Sequence, residues 1–143
     1  GLRVDFPGGW AGDEIDLFTA EGREAQTHNT DGLKVEKGQA ADLFNYVSRL
    51  FQWRKTADVI HNGKTMHFMT RDNTYAYFRY NDEAAVFVYI NNTLEDKNIP
   101  WSYYSEITEG LCEGVDVLTG EPVEISDATV VAPKTALVVE FKR

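Results

Sequence analysis

Arg3, Asp5, Phe6 and Trp10 crowd into one short segment, Arg3-Val-Asp-Phe-Pro-Gly-Gly-Trp-Ala-Gly-Asp13. A guanidinium donates forked hydrogen bonds to oxygen, and a carboxylate accepts them. An indole adds a flat apolar face with a donor on its edge. Together these groups can hydrogen-bond and stack. The plain alternative is that Arg3 and Asp5 pair with each other while Trp10 plugs a gap beneath the loop. Proline and three glycines in so short a stretch specify a shaped turn, which a free terminus does not need. The segment reads as a loop whose supporting strand lies outside this chain.

A second group of aromatic residues lies further along. Tyr75 and Tyr77 share one strand face with Arg79, while Phe78 and Tyr80 point the other way. Trp101, Tyr103 and Tyr104 follow the Asn91–Pro100 loop and are candidate surface contacts for a sugar ring. The competing reading puts one aromatic set in the core and the other beneath a packed partner. His28, His61 and His67 are too scattered for metal-ligand spacing, and no metal or cofactor is expected. Asp13, Glu14 and Asp16 lack the glycine and distal glutamate of a calcium loop and read as helix-capping charge. Glu121 and Glu124 flank a turn and read as solvated.

Two regions must position these groups. Residues 1–57 read as loop and helix, residues 58–143 as strand and turn. Ala40, Leu43, Phe44, Val47, Leu50 and Phe51 recur at helical spacing, so a helix with one apolar face is expected over 39–55. From Lys64 the period changes to two. Strands are expected at Thr65–Met69, Thr74–Tyr80, Ala85–Ile90, Tyr103–Thr108, Gly114–Leu118, Val123–Ile125 and Thr135–Phe141. Asn81-Asp-Glu83 and Thr119-Gly-Glu-Pro122 supply turns. The fold class is mainly β: an antiparallel Greek-key β-sandwich of about seven strands, preceded by a loop and one amphipathic helix.

The whole chain has 143 residues and is 43% hydrophobic and 13% aromatic, enough for a proper core. A formal charge of −9 argues against a nucleic-acid backbone or an anionic membrane as partner and leaves a neutral ligand such as a sugar open. No window reaches the roughly twenty apolar residues of a membrane span. Cys112, the single cysteine, reads as a partly buried, inert thiol and fits a periplasmic or a cytoplasmic protein alike.

The opening segment, then Asp16-Leu-Phe-Thr-Ala-Glu-Gly-Arg-Glu24, then a helix ending in Phe51-Gln-Trp-Arg-Lys55, resembles the last barrel turn of alpha-amylase-family glycoside hydrolases. The neopullulanase and cyclomaltodextrinase branch is the nearest in pattern. Gly63-Lys-Thr-Met-His-Phe68 with Thr74–Tyr80 resembles the opening strands of that family's domain C. Ala132-Pro-Lys-Thr-Ala-Leu-Val-Val-Glu-Phe141 resembles its closing strand. The resemblance implies a remnant of a (β/α)8 barrel over 1–57 and a domain C sandwich over 58–143. It places Arg3, Asp5 and Trp10 near the parent's substrate cleft. It implies, as partners, the missing catalytic barrel and a maltodextrin-type sugar, with a dimer through the exposed barrel-facing surface as a further option. The family's catalytic carboxylates lie on earlier barrel strands, and retaining hydrolysis needs two of them about 5 Å apart. The expectation is a non-catalytic domain that stabilises the barrel, with a carbohydrate-binding module as the alternative.

Overall fold

The computed structural model describes residues 39–126 and 128–143, with side chains from Asn45 onward. The expectations for the loop holding Arg3, Asp5, Phe6 and Trp10, for the Asp13 cap and for His28 lie outside the described residues. Two compact units divide between Gln52 and Trp53.

Helix α1 runs over Gln39–Thr56, with Arg54 and Lys55 in the last turn where the backbone dipole favours cations. Of the expected apolar face, Val47 and Leu50 are half-buried, while Phe51 is 56% exposed. A second, five-residue helix, α2 (Asp58–Asn62), follows where only strand and turn were expected. It is too short for a periodic signal. Asp58 opens it, and the chain leaves through Gly63, whose N–H reaches the Val59 carbonyl at 3.0 Å. A Cβ at Gly63 would collide with the carbonyls of Val59 and Tyr80, so only glycine lets helix and sheet approach this closely.

The sheet that follows has six antiparallel strands: β1 (Lys64–His67), β2 (Thr74–Tyr80), β3 (Ala84–Asn91), β5 (Glu113–Asp116), β6 (Pro122–Glu124) and β8 (Thr135–Lys142). Their order across the sheet is β1-β2-β3-β8-β5-β6. Two further short strands, β4 (Lys97–Asn98) and β7 (Val130–Val131), pair with each other. The last strand inserts between β3 and β5, the long-range return that a Greek-key connection makes. The turn after β2 is closed by Asn81, whose Oδ1 accepts the N–H groups of Glu83 and Ala84.

One expected strand is not there. Tyr103–Thr108 is helical: a 3-10 turn over Trp101–Tyr104 runs into a one-turn helix, α3, at Ser105–Thr108. The reason is in its spacing. Trp101, Tyr104 and Ile107 are the buried apolar residues, three apart, which suits a helical turn and not a strand. Pro100 starts the turn by accepting the Tyr103 N–H at 2.8 Å.

The core lies between the inner face of the sheet and this thinner second layer. Phe78, Phe87, Val139 and Phe141 face Ile99, Trp101, Tyr104, Ile107 and Val131. Phe87 sits at the middle, with ring centroids 4.6 Å from Phe78 and 5.0 Å from both Trp101 and Tyr104. Gly114 leaves room for Phe141 and Val139 on this face; a Cβ there would come within 2.6 Å of both. The sandwich is therefore lopsided, with six strands against a two-stranded ribbon and two helical turns.

Candidate functional site

The outer face of the sheet is built from three rows of side chains set by strand register. The first row is Thr65, Arg79, Val86, Glu140 and Val115. Arg79 donates to Thr65 Oγ1 and to the Ile60 carbonyl, both at 2.7 Å, and so latches α2 onto the sheet. Glu140 accepts the indole N–H of Trp53 at 2.8 Å, which ties the last turn of α1 to the same row. Val86 is wholly buried here, whereas Val115 at the row's end is 45% exposed.

The second and third rows hold His67, Tyr77 and Val88, then Tyr75 and Ile90. His67 hydrogen-bonds the Tyr75 hydroxyl and lies nearly parallel to that ring, at 16° and 6.1 Å between centroids. The expectation that Tyr75 and Tyr77 share a face with Arg79, opposite Phe78, agrees with this arrangement. No group of three or more His, Cys, Asp or Glu that could hold a metal occurs among the described residues.

A cleft opens where the third row meets the strand ends. One part, about 340 Å3, is lined by Asp72, Asn73, Tyr75, Ile90 and Asn92 among others. An adjoining part, about 510 Å3, continues from Asp72, Asn73 and Asn92 to Thr93, Leu94 and Lys97. Asp72 and Asn73 both adopt left-handed backbone, at φ 47° and 56°, in a tight turn between Arg71 and Thr74. The Asn92 N–H donates to the Asn73 carbonyl at 3.1 Å and joins the two walls. Lys134 Nζ donates to the Asn92 carbonyl and Oδ1, at 2.8 and 3.0 Å, which leaves the Asn92 amide N–H groups as donors. Behind the loop, the buried Asn91 side chain bonds the carbonyls of Glu95, Val131 and Ala132.

Trp101 and Tyr104 are buried in the core, at 7% and 4% exposure, so neither presents a ring to solvent. Trp101 also donates from its indole to Thr129 Oγ1 at 3.1 Å. Tyr103 is half-buried, with the Arg71 guanidinium 3.9 Å from its ring centroid. Cys112 is exposed on the link between α3 and β5, against the expectation of partial burial, because that link runs outside the core. The cleft residues were not anticipated as a site. The polar runs Arg71-Asp-Asn73 and Asn91-Asn-Thr93 were visible as connections, but only the β2–β3 register brings them together.

Burial beside Tyr89 and Tyr103 pushes the Tyr104 phenol up to about 12 from an ordinary value of 10.0. Below pH 10 the phenol is protonated folded or unfolded, and the benefit of burying it is fully present. Above that, the unfolded chain ionises while the folded one resists, so stability falls as pH rises toward 12. Thermal melts across this range should show a decline that Tyr104→Phe lessens, and ultraviolet titration should show a late phenol that is missing from the Tyr104→Phe variant.

Residues 65–140, more than half of the chain, match the family model described as the cyclo-malto-dextrinase C-terminal domain. The chain belongs to this family. Solved structures agree on the fold. AmyP in complex with maltose superposes with a TM-score of 0.61 at 22% identity, covering 78% of this chain and 23% of that one. An Anoxybacillus alpha-amylase gives 0.60 at 18% identity, covering 80% and 25%. A maltogenic alpha-amylase, AmyB from Thermotoga neapolitana, gives 0.56 at 16%, covering 80% and 29%. The chain thus spans about a quarter of the length of these enzymes and corresponds to the C-terminal domain of an alpha-amylase-family glycosidase.

Proposed function

We propose that this cyclo-malto-dextrinase C-terminal domain is the non-catalytic part of a starch- or maltodextrin-degrading glycosidase and stabilises its catalytic barrel. In this reading the parent hydrolyses α-1,4-glucosidic bonds with retention, and residues 1–57 are the end of the barrel, with Arg3, Asp5 and Trp10 close to its substrate. The maltose complex of AmyP and the maltogenic activity named for AmyB support the substrate class. The carrying observation is the first row of the outer face. Trp53 bonds Glu140 there, so the last turn of α1 already seats on the sheet, and Val115 beside Glu140 is left half open. An apolar side chain next to this seat is where a barrel flank would be buried.

The test compares Val115→Lys in the full-length enzyme and in the 143-residue chain. In the chain, where Val115 already meets water, the midpoint of unfolding should stay within the small range of surface changes, about 0.5 kcal/mol. In the enzyme a lysine under the barrel should cost about 1–3 kcal/mol and shorten the thermal half-life of maltodextrin hydrolysis. Equal small effects in both would place the barrel elsewhere. Measurable hydrolysis by the chain alone would remove the non-catalytic assignment.

A further inference from the structure

The cleft at the far end of the sheet from α2 combines three features that a ligand site needs. It has an apolar wall, formed by the half-buried Tyr75 ring and Ile90, which are register partners. It has polar groups on the rim: the Asp72 carboxylate, the Asn73 amide, the Asn92 amide donors and the Glu95–Lys97 pair. Among the described residues neither the Asp72 nor the Asn73 side chain is spent on a hydrogen bond, whereas that of Asn92 is oriented by Lys134. Its parts are also held in place. Stacking and a hydrogen bond with His67 fix Tyr75, and Asn91 and Lys134 fix the facing loop. The volumes fall in the roughly 300–1,000 Å3 range of small-molecule sites.

Charge then selects the ligand. Lys97 lies 3.5 Å from Glu95 and is partly neutralised, and Asp72 adds a further negative group. A phosphate or a polyanion would meet carboxylates here, without a cluster of cations to receive it. A flat apolar surface beside amides and the Asp72 and Glu95 carboxylates suits a neutral pyranose, whose C–H face stacks on a ring while its hydroxyls reach the rim.

We propose that the cleft between the Asp72–Asn73 turn and the Asn92–Lys97 loop is a binding site for a neutral oligosaccharide, separate from the barrel, with Tyr75 as the stacking platform. That the oligosaccharide is an α-1,4-glucan rests on the function proposed above. The site lies at the strand ends opposite the Trp53–Glu140 seat.

The experiment is a nuclear magnetic resonance titration of the 15N-labelled 143-residue chain with maltoheptaose, cellohexaose and inorganic phosphate at millimolar concentration. Maltoheptaose should shift the side-chain amides of Asn73 and Asn92 and the backbone amides of residues 72–75 and 92–94, saturably. Tyr75→Ala should weaken that binding about tenfold or more. Asn73→Gly serves as the second variant, since glycine accepts the left-handed backbone and keeps the turn while removing the amide; it too should weaken binding with the dispersion of the spectrum preserved. Saturable shifts with cellohexaose but not maltoheptaose would uphold the neutral-sugar site and sink the glucan reading of the parent. Phosphate binding at the cleft, shifts centred elsewhere, or no saturable shift with either sugar would overturn the site and leave the barrel-stabilising function standing.

Discussion

Phe87→Ala should destabilise the sandwich by about 3–5 kcal/mol, the range for truncating a buried phenylalanine. The ring has no solvent exposure and touches both layers, with Phe78 and Tyr89 on the sheet side and Trp101 and Tyr104 across from it. Neighbours on opposite layers cannot all close on the void, because the sheet is held by its ladder and the 3-10 turn by Pro100. For a unit of this size the loss corresponds to a fall of roughly 12 °C or more in the unfolding midpoint. That is a large fraction of the about 5–15 kcal/mol that keeps a domain folded. Calorimetry on the 143-residue chain measures it directly, with Phe87→Leu as a milder companion that refills much of the space. A loss below about 1 kcal/mol for the alanine variant would show that the thin second layer collapses onto the sheet, and that Phe87 is not the centre of the core.

Sequence patterning located the sheet well and the second layer poorly, for a physical reason. Strand β2 alternates over seven residues and β3 and β8 are eight-residue runs rich in β-branched and aromatic residues between clear turns, so Thr74–Tyr80 could be read to the residue. Strands β4 and β7 are two residues each, too short for any period to show, and they exist because they pair with each other. Trp101-Ser-Tyr-Tyr104 offered aromatic residues with high strand propensity, but the chain needed their rings at helical spacing to plug the sandwich from the side. The same override hid Trp101 and Tyr104 as core residues. Aromatic type alone does not separate a ring that stacks on a ligand from one that stacks on Phe87. For the cleft, each polar connection was legible but their meeting was not. Thr74 pairs with Asn91, and that one register decides that residues 72–73 and 92–93 share a site. The outer-face seat was hidden in a similar way, because Trp53 and Glu140 lie 87 positions apart.

Asn91→Ala is the second large effect, about 2–4 kcal/mol, and it arises from hydrogen bonding more than from volume. The residue is wholly buried at the end of β3. Its Nδ2 lies 2.8, 2.9 and 3.0 Å from the carbonyls of Glu95, Val131 and Ala132, so two N–H groups serve three acceptors. Its Oδ1 accepts the N–H and the hydroxyl of Thr93 at 3.0 and 2.7 Å. One side chain therefore holds the loop after β3 and the segment after β7 to the sheet end. Alanine would take the acceptor from the Thr93 N–H and this donor from the Val131 carbonyl, while the Glu95 and Ala132 carbonyls keep the hydroxyls of Thr93 and Thr135 at 2.9 and 2.7 Å. A buried group left unpaired costs about 1–3 kcal/mol, offset where water can enter. Asn91→Asp separates the two accounts. The carboxylate has nearly the same shape, so a packing role predicts a mild loss. A donor role predicts a loss at least as large as alanine's at neutral pH, because an ionised oxygen would face three carbonyl oxygens. Protonation in acid should then relieve part of the aspartate variant's defect, since the protonated group regains one donor. Melts of the three proteins at neutral and acidic pH, with amide hydrogen exchange at Thr93 as the local probe, decide between them. A mild aspartate variant with Thr93 still protected would mean that volume, not the amide, is what this position supplies.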